Sequence, residues 1–414
     1  MNALAPEAPL RLPDLRVGSQ ATCHHRIGPG ALEGPAAPWP ADVGQAVVIA
    51  DRTALGLHGP RLRAALARRV GRVHVLTVAP GESSKSRRTA LRLADRLLAL
   101  GVGRDDLVVG FGGGVALDLA GFVAAFTLRG LPLVQVPTTL LAMIDAGLGG
   151  KAAVDTPLGK NLLGAFWWPR AVLIEPAFLA TLAPAELRNG LAEGVKHAVL
   201  GARSALDKTA VATPVATAEP AVQPVENTTD RLLALLPGGG PPDPRPGPEL
   251  FDRLERFAAG WDGATPPPAA LVAELAAVKL GVVERDPFEA GERRTLNFGH
   301  TVGHALEACS GFELAHGAAV AVGMIVEGRV ARARCGFPDA DLARLVALLG
   351  RLGLPTAPAT SFAQALPFLA RDKKNLNGRL RLALPRRLGE MEPAGGRWAV
   401  EVEAGELEAA WHAR

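Results

Sequence analysis

The chain has no tyrosine, only three cysteines and aromatic residues at just 5% of its 414 positions. Cys23, Cys309 and Cys335 share no short spacing, which excludes a disulfide framework and a CxxC site and points to a reducing, cytoplasmic setting. Strong charge bias is missing too: 45 Lys and Arg against 41 Asp and Glu leave a net +4. No Lys/Arg run carries interleaved aromatics, so nucleic acid is excluded as a partner class. No apolar run is long enough to span a bilayer, and the N-terminus lacks the basic-then-apolar order of a signal peptide, so no membrane role is expected. What remains, 48% hydrophobic and 21% charged residues, is the composition of a soluble globular enzyme with two domains or one elaborated α/β domain.

Against that background one window stands out. Three of the nine histidines, His300, His304 and His316, fall within residues 293–316, beside Arg293 and Asn297. His300 and His304 are one helical turn apart, so a helix would set both imidazoles on one face, with Asn297 sharing it. On spacing alone these two form the natural ligand pair of a divalent metal site, zinc first, with a further ligand from elsewhere.

The first half alternates apolar strands and helices. Strands are read at 46–50, 73–78, 107–111, 133–139 and 171–175, with helices at 61–69 and, capped by Ser86 or Thr89, through Leu100. That order implies parallel pairing with crossover helices. The third strand runs into Gly112, Gly113 and Gly114, a turn that lets backbone amides approach a pyrophosphate, although a plain tight turn reads equally well. Thr138, Thr139, Asp145, Lys151, Lys160 and Asn161 follow closely and suit a phosphorylated, polyhydroxylated ligand.

Beyond residue 180 the periodicity becomes helical. Glu193, Lys196 and His197 share one face, as an ion pair or as part of a carboxylate–imidazole metal site. Residues 203–248, rich in Ala, Pro and Gly, read as an inserted, largely disordered loop, and residues 1–15 as a flexible start. Helices resume at 250–257, 269–284, 318–333 and 342–352, and a strand is read at 379–384.

Taken in order, the segments at 112–121, 129–132, 135–142, 149–151, 157–161, 191–196, 297–305, 316–317 and 372–374 resemble 3-dehydroquinate synthase across about 46–390. The resemblance implies an α/β NAD-binding domain with a mainly parallel sheet (1–180), then an all-α metal-binding domain (181–414), with the site between them. It implies a homodimer and the cyclisation of a seven-carbon keto acid phosphate to 3-dehydroquinate, with NAD reduced and reoxidised in each turnover. By position it assigns the metal, Zn or Co, to Glu193, His300 and His316 rather than to the His300/His304 pair. His304 becomes a proton-transfer residue. Lys151, Asn161, Lys196, Lys279, Arg293, Asn297, Asp145 and Arg129, with one of Lys373 and Lys374, become substrate residues. Asp51, Glu82, Lys85, Gly113, Gly114, Val115, Asp118, Thr138, Thr139, Asp145, Lys151, Lys160, Phe178, Thr181, Leu182 and Glu186 fall along the cofactor.

Three departures stand out. Ala146 and Gly147 replace serines usual in the family, Ala152 replaces a threonine, and the 203–248 insertion is foreign to the pattern. Three rival readings are weighed. A sibling sugar phosphate cyclase, taking an amino analogue or a sedoheptulose phosphate, is opposed by the Lys279/Arg293/Asn297 set. A polyol dehydrogenase would not need so many cations. A non-catalytic paralogue would be free to lose its ligand set.

Overall fold

A computed structural model describes residues 10–17, 21–34, 37–41, 43–157, 159–201, 249–370 and 379–413. The 203–248 insertion and the Lys373/Lys374 pair lie outside the described residues.

The first half is built on a seven-stranded sheet. In chain order its elements are β1 (Leu10–Val17), β2 (Ala21–Ile27), β3 (Val43–Asp51), α1 (Arg52–Ala67), β4 (Val70–Val78), α2 (Arg87–Ala99), β5 (Leu107–Gly112), α3 (Gly114–Phe126) and β6 (Leu133–Pro137). A hairpin of β7 (Lys151–Thr156) and β8 (Gly159–Phe166) follows, then β9 (Ala171–Ile174). The sheet order is β1-β2-β9-β6-β5-β3-β4, parallel throughout except for the β1–β2 pair. Residues 10–15, expected within a flexible start, instead belong to a strand that pairs Leu10 with Ile27 and Val17 with Ala21. The hairpin was not foreseen as strands, because its sequence is rich in Gly, Pro and Lys rather than alternating in polarity.

The central strands are apolar on both faces, as a sheet covered by helices on both sides requires: the β3 positions from Ala46 to Ala50 and all of β5 are buried. Asp51 closes β3 and caps α1 by accepting from Thr53 N–H and Ala54 N–H. Ser86, not Thr89, is the α2 cap.

The second half contains α4 (Pro184–Leu200), α5 (Glu249–Ala259), α6 (Ala269–Arg285), α7 (His300–Cys309), α8 (His316–Cys335), α9 (Asp339–Arg351), α10 (Phe362–Ala370) and α11 (Ala404–His412). Two short antiparallel pairs, Leu380–Leu382 with Val400–Val402 and Pro385–Arg387 with Glu390–Met391, complete it. Among the described residues, no helix is long and apolar enough to cross a membrane.

Helix α8 is the central rod of this half and is buried along most of its length. It runs against α7 at a distance only glycine permits: a Cβ on Gly323 would lie 1.9 Å from the Gly299 carbonyl oxygen. Gly323→Ala is expected to cost about 1–3 kcal/mol or more through overpacking and to lower Tm. An unchanged melt would show that the two helices can part freely. The same shift would move His300, which opens α7.

Candidate active site

Chain order reverses between β3 and β5. β3 leads through α1 to β4 on one side, and β5 leads through α3 to β6 on the other. Such a switch point leaves a crevice at the carboxyl ends of the strands. Asp51 stands at the end of β3 and Gly112 at the end of β5. Gly112 has φ of 145°, and a Cβ there would meet the Asp51 Cβ at 2.7 Å. Gly113 precedes α3 without a side-chain cap, so the first amides of that helix face the crevice uncovered by a side chain. Thr138 N–H donates to the Gly112 carbonyl, and the Thr139 hydroxyl accepts from Ala142 N–H.

The expected cofactor loop at Glu82 and Lys85 is tied to this turn. Lys85 contacts the Asp118 carboxylate on α3 and lies 3.9 Å from Glu82. Burial alone would lower the Lys85 ammonium, but Asp118 and Glu82 outweigh it and hold it charged. Asp155 N–H donates to the Lys85 carbonyl, which joins the β7–β8 hairpin to the same loop.

Asp145 lies in a π-helical turn, Ala142–Ala146, a backbone form that recurs at functional sites. The turn drives its carboxylate between two helices. Lys279 from α6 donates to Asp145 Oδ1 at 2.8 Å and to its carbonyl at 2.7 Å. Lys196 from α4 lies 3.7 Å from Asp145 Oδ1, and His197 Nε2 lies 3.6 Å away. Burial would raise Asp145, but Lys196, Lys279 and His197 hold it well below the usual carboxylate range. Burial pulls Lys279 down, with Lys196 and Arg293 adding to it, whereas Asp145 and Glu193 keep Lys196 raised.

Helix α4 also presents Glu193, wholly buried and in contact with Lys196. His300 Nε2 lies 3.4 Å and His316 Nε2 3.2 Å from Glu193 Oε1. His300 Nδ1 is 3.1 Å from the Phe298 carbonyl, which fixes it as the donor nitrogen and aims the Nε2 lone pair at Glu193. Lys196 takes Oε2, so Oε1 is the oxygen that His300 and His316 share. One donor atom from each of Glu193, His300 and His316 lies within 4.8 Å of the others. A buried carboxylate and two imidazoles fit a divalent metal of the zinc or cobalt kind. Without one, burial would lower His316, but Glu193 and Glu307 push it up to about 10.

His304 is exposed, its ring 5.3 Å from that of His300 and 6.2 Å from that of His316. The shared face expected for Asn297 and His300 is not formed. Gly299, in the left-handed region at φ 79°, breaks the chain between them, and Asn297 ends a 3-10 turn. Asn297 instead donates to Glu289 Oε1 at 2.9 Å, and Lys151 contacts the other Glu289 oxygen. Glu289 was missed by the sequence reading, and so was Glu307, which contacts His316 and Lys160. Glu307 lies three residues past His304, on the same helical face, and that spacing was an available signal.

Several expected residues are placed differently. Arg293 is fully buried, and both Nη atoms donate to backbone, to Pro287 and to the Gly149 carbonyl, leaving Nε unpartnered. It therefore pins the turn before Lys151. Arg129 is exposed in a left-handed turn (φ 65°) beyond the end of α3. That is about 20 Å along the helix from Gly114, at the far end of α3 from the Gly112–Gly114 turn. Phe178 is 1% exposed, tilted against His58 and edge-on to Phe111, which makes it a core residue beneath the crevice. The Thr181 hydroxyl meets His58 Nε2 at 2.8 Å, Leu182 packs on the core, and exposed Glu186 accepts from Asn189. Asn161 is exposed on the hairpin at φ 55°, with its N–H on Asp155. Ala152 faces α3, where a Cβ on Gly121 would lie 2.8 Å from its own, so a threonine there would crowd the packing layer. Ala146 lies beside Gly114, at the crevice.

Two family models match the chain: 3-dehydroquinate synthase N-terminal over residues 75–189 and 3-dehydroquinate synthase C-terminal over residues 247–375. A 3-dehydroquinate synthase from Symbiobacterium thermophilum is 40% identical over 86% of this chain and 90% of its own. A 2-epi-valiolone synthase from Actinosynnema mirum is 39% identical over 83% of this chain and 80% of its own. Among solved structures, ValA, the 2-epi-5-epi-valiolone synthase of Streptomyces hygroscopicus with NAD+ and Zn2+ bound, aligns with a TM-score of 0.73 at 29% identity. That alignment covers 95% of this chain and 98% of ValA.

Proposed function

The chain belongs to the 3-dehydroquinate synthase family, and from that premise we propose that it converts 3-deoxy-D-arabino-heptulosonate 7-phosphate to 3-dehydroquinate and phosphate. The observation that carries the reading is the junction of the Glu193/His300/His316 donor set with the cations around Asp145. The cofactors are NAD, in the switch-point crevice, and one zinc or cobalt ion held by Glu193, His300 and His316. When bound, the metal polarises the hydroxyl being oxidised and NAD holds the hydride until it is returned.

The residues of the chain supply the rest. Lys151, Lys196 and Lys279 bring positive charge to a substrate with a carboxylate and a phosphate, orienting it and stabilising developing charge. Asp145 opposes the cost of burial on Lys196 and Lys279 and fixes both ammonium groups. Glu289 sets Lys151 and Asn297 side by side. His304, on the open side of the metal set, is placed to carry a proton between substrate and solvent. Arg293 acts through the Gly149 turn rather than by a fork on the substrate.

The division at residue 180 remains part of this proposal, supported by the family models that end at 189 and begin at 247. A cytoplasmic setting is supported by three free cysteines. A homodimer is supported by the stacked Phe122–Phe126 pair, in which Phe126 is 60% exposed; sedimentation as a monomer at micromolar concentration would refute it.

The deciding experiment is phosphate release from the heptulosonate 7-phosphate with catalytic NAD and added zinc or cobalt. Chelator-sensitive release without net NADH is expected. Release from sedoheptulose 7-phosphate instead would shift the reading to the sibling cyclases, which the 39% identical 2-epi-valiolone synthase keeps open. Net NADH with a polyol would indicate a dehydrogenase.

A pH limb is also expected. Burial, helped by Arg293, lowers Lys151 to about 8 against the opposing pull of Glu289. Its side chain is still 47% exposed, so solvent screens part of the effect. Since the ammonium is the binding form, kcat/KM should fall as pH rises through about 8, and Lys151→Arg should remove that limb. A flat profile from pH 7 to 9 would take Lys151 out of substrate binding.

A further inference from the structure

We propose that Glu307 is a positioning residue of the metal site. It fixes the ring of His316 and is itself held by Lys160 of the β7–β8 hairpin. The inference rests on the reading of Glu193, His300 and His316 as the metal ligands.

Glu307 is 3% exposed, and a carboxylate is rarely buried so deeply without partners. One oxygen faces His316 Nδ1 at 3.4 Å and the other accepts from Lys160 Nζ at 3.1 Å. Paired with the Lys160 ammonium, it is held as a carboxylate. As an anion it accepts only, which makes His316 Nδ1 a donor and leaves Nε2, 3.2 Å from Glu193, as the nitrogen available to a metal. The Phe298 carbonyl does the same for His300. Both imidazoles are thus held in one tautomer by an oxygen on their far side, an arrangement that orients metal-binding histidines.

Glu307, His304 and His316 could themselves form a donor set, since their atoms also lie within 4.8 Å of one another. The Lys160 ammonium opposes a second cation there. Lys160 is further fixed over the Phe312 ring at 4.6 Å. The link therefore runs from the hairpin of the α/β half, through Glu307, to a metal ligand of the helical half.

The test is zinc affinity by competition with a chromophoric chelator, with the visible absorption of the cobalt form, for the unsubstituted protein, Glu307→Ala and Glu307→Gln. Glu307→Ala should bind zinc about 10–100-fold more weakly and show an altered cobalt spectrum. Glu307→Gln keeps an oxygen acceptor and should recover part of the affinity. Metal-free melts separate this from misfolding: Glu307→Gln should melt with the unsubstituted protein and still bind zinc more weakly. If Glu307→Ala fails to fold, Glu307→Gln decides. Unchanged zinc affinity and cobalt spectrum in the folded variants would overturn the proposal. Failure of the unsubstituted protein to bind stoichiometric zinc would instead remove the metal reading beneath it, and that outcome is visible before any variant is compared.

Discussion

His300→Ala loses tightly bound metal and phosphate release together, with kcat falling by at least about 10³-fold, while NAD binding persists. The argument starts from Glu193. It is wholly buried, Lys196 takes one of its oxygens, and His300 and His316 face the other from two different helices. Removing one imidazole leaves a carboxylate and a single ring, too few ligands to hold a catalytic ion against dissociation. The NAD crevice between β3 and β5 is built from other elements and should be unaffected. The check is metal content after dialysis, activity, and NAD binding by fluorescence on one preparation. Near-normal activity would refute the ligand assignment. Loss of activity with full metal content would move His300 from ligand to another role.

The second large effect is on stability. Asp145→Asn should lower the unfolding free energy by about 3–5 kcal/mol, the range for removing one partner of a buried ion pair. Lys196 and Lys279 are 1% and 7% exposed, and both lean on this carboxylate. An amide cannot balance them. Lys196 retains Glu193, so the unpaired charge falls mainly on Lys279. The sign with pH follows from the lowered Asp145 pKa. A depressed carboxylate contributes its full stability above its unfolded pKa, about 4, and loses it as pH falls toward the folded value. The gap between the two proteins in urea midpoint should therefore be full at pH 7 and should shrink below about pH 4. A gap that is absent at pH 7 would mean the lysines are neutral in the folded protein. Activity should fall as well, because the same carboxylate places Lys196 and Lys279.

The alternation of strand and helix, the Gly112–Gly114 turn and the helix at 318–333 were legible because each is set by local pattern. The β7–β8 hairpin was not, since its strands lack alternation. The local reading of His300 and His304 as a ligand pair meets a different geometry. One helical turn does place both rings on one side, but His304 stays exposed, and the buried carboxylate that both ligands must face lies toward α8. Helical spacing offered Glu193 as one possible ligand, only the family resemblance joined it to His300 and His316, and the three side chains do converge.

By itself, then, the amino-acid sequence determined the parallel α/β half, the helical half and the identities of the charged residues, because short-range periodicity, capping and turn chemistry act within a few residues. The tertiary structure alone decided which of those charges face one another. It set Asp145 between helices α4 and α6, put Glu289 between Lys151 and Asn297, and turned Arg293 onto the Gly149 carbonyl. Those pairings join positions up to 144 residues apart, as in Gly149 and Arg293. No local propensity specifies such a contact; it follows from how the two halves close their apolar faces and from the cost of leaving a buried charge unpaired.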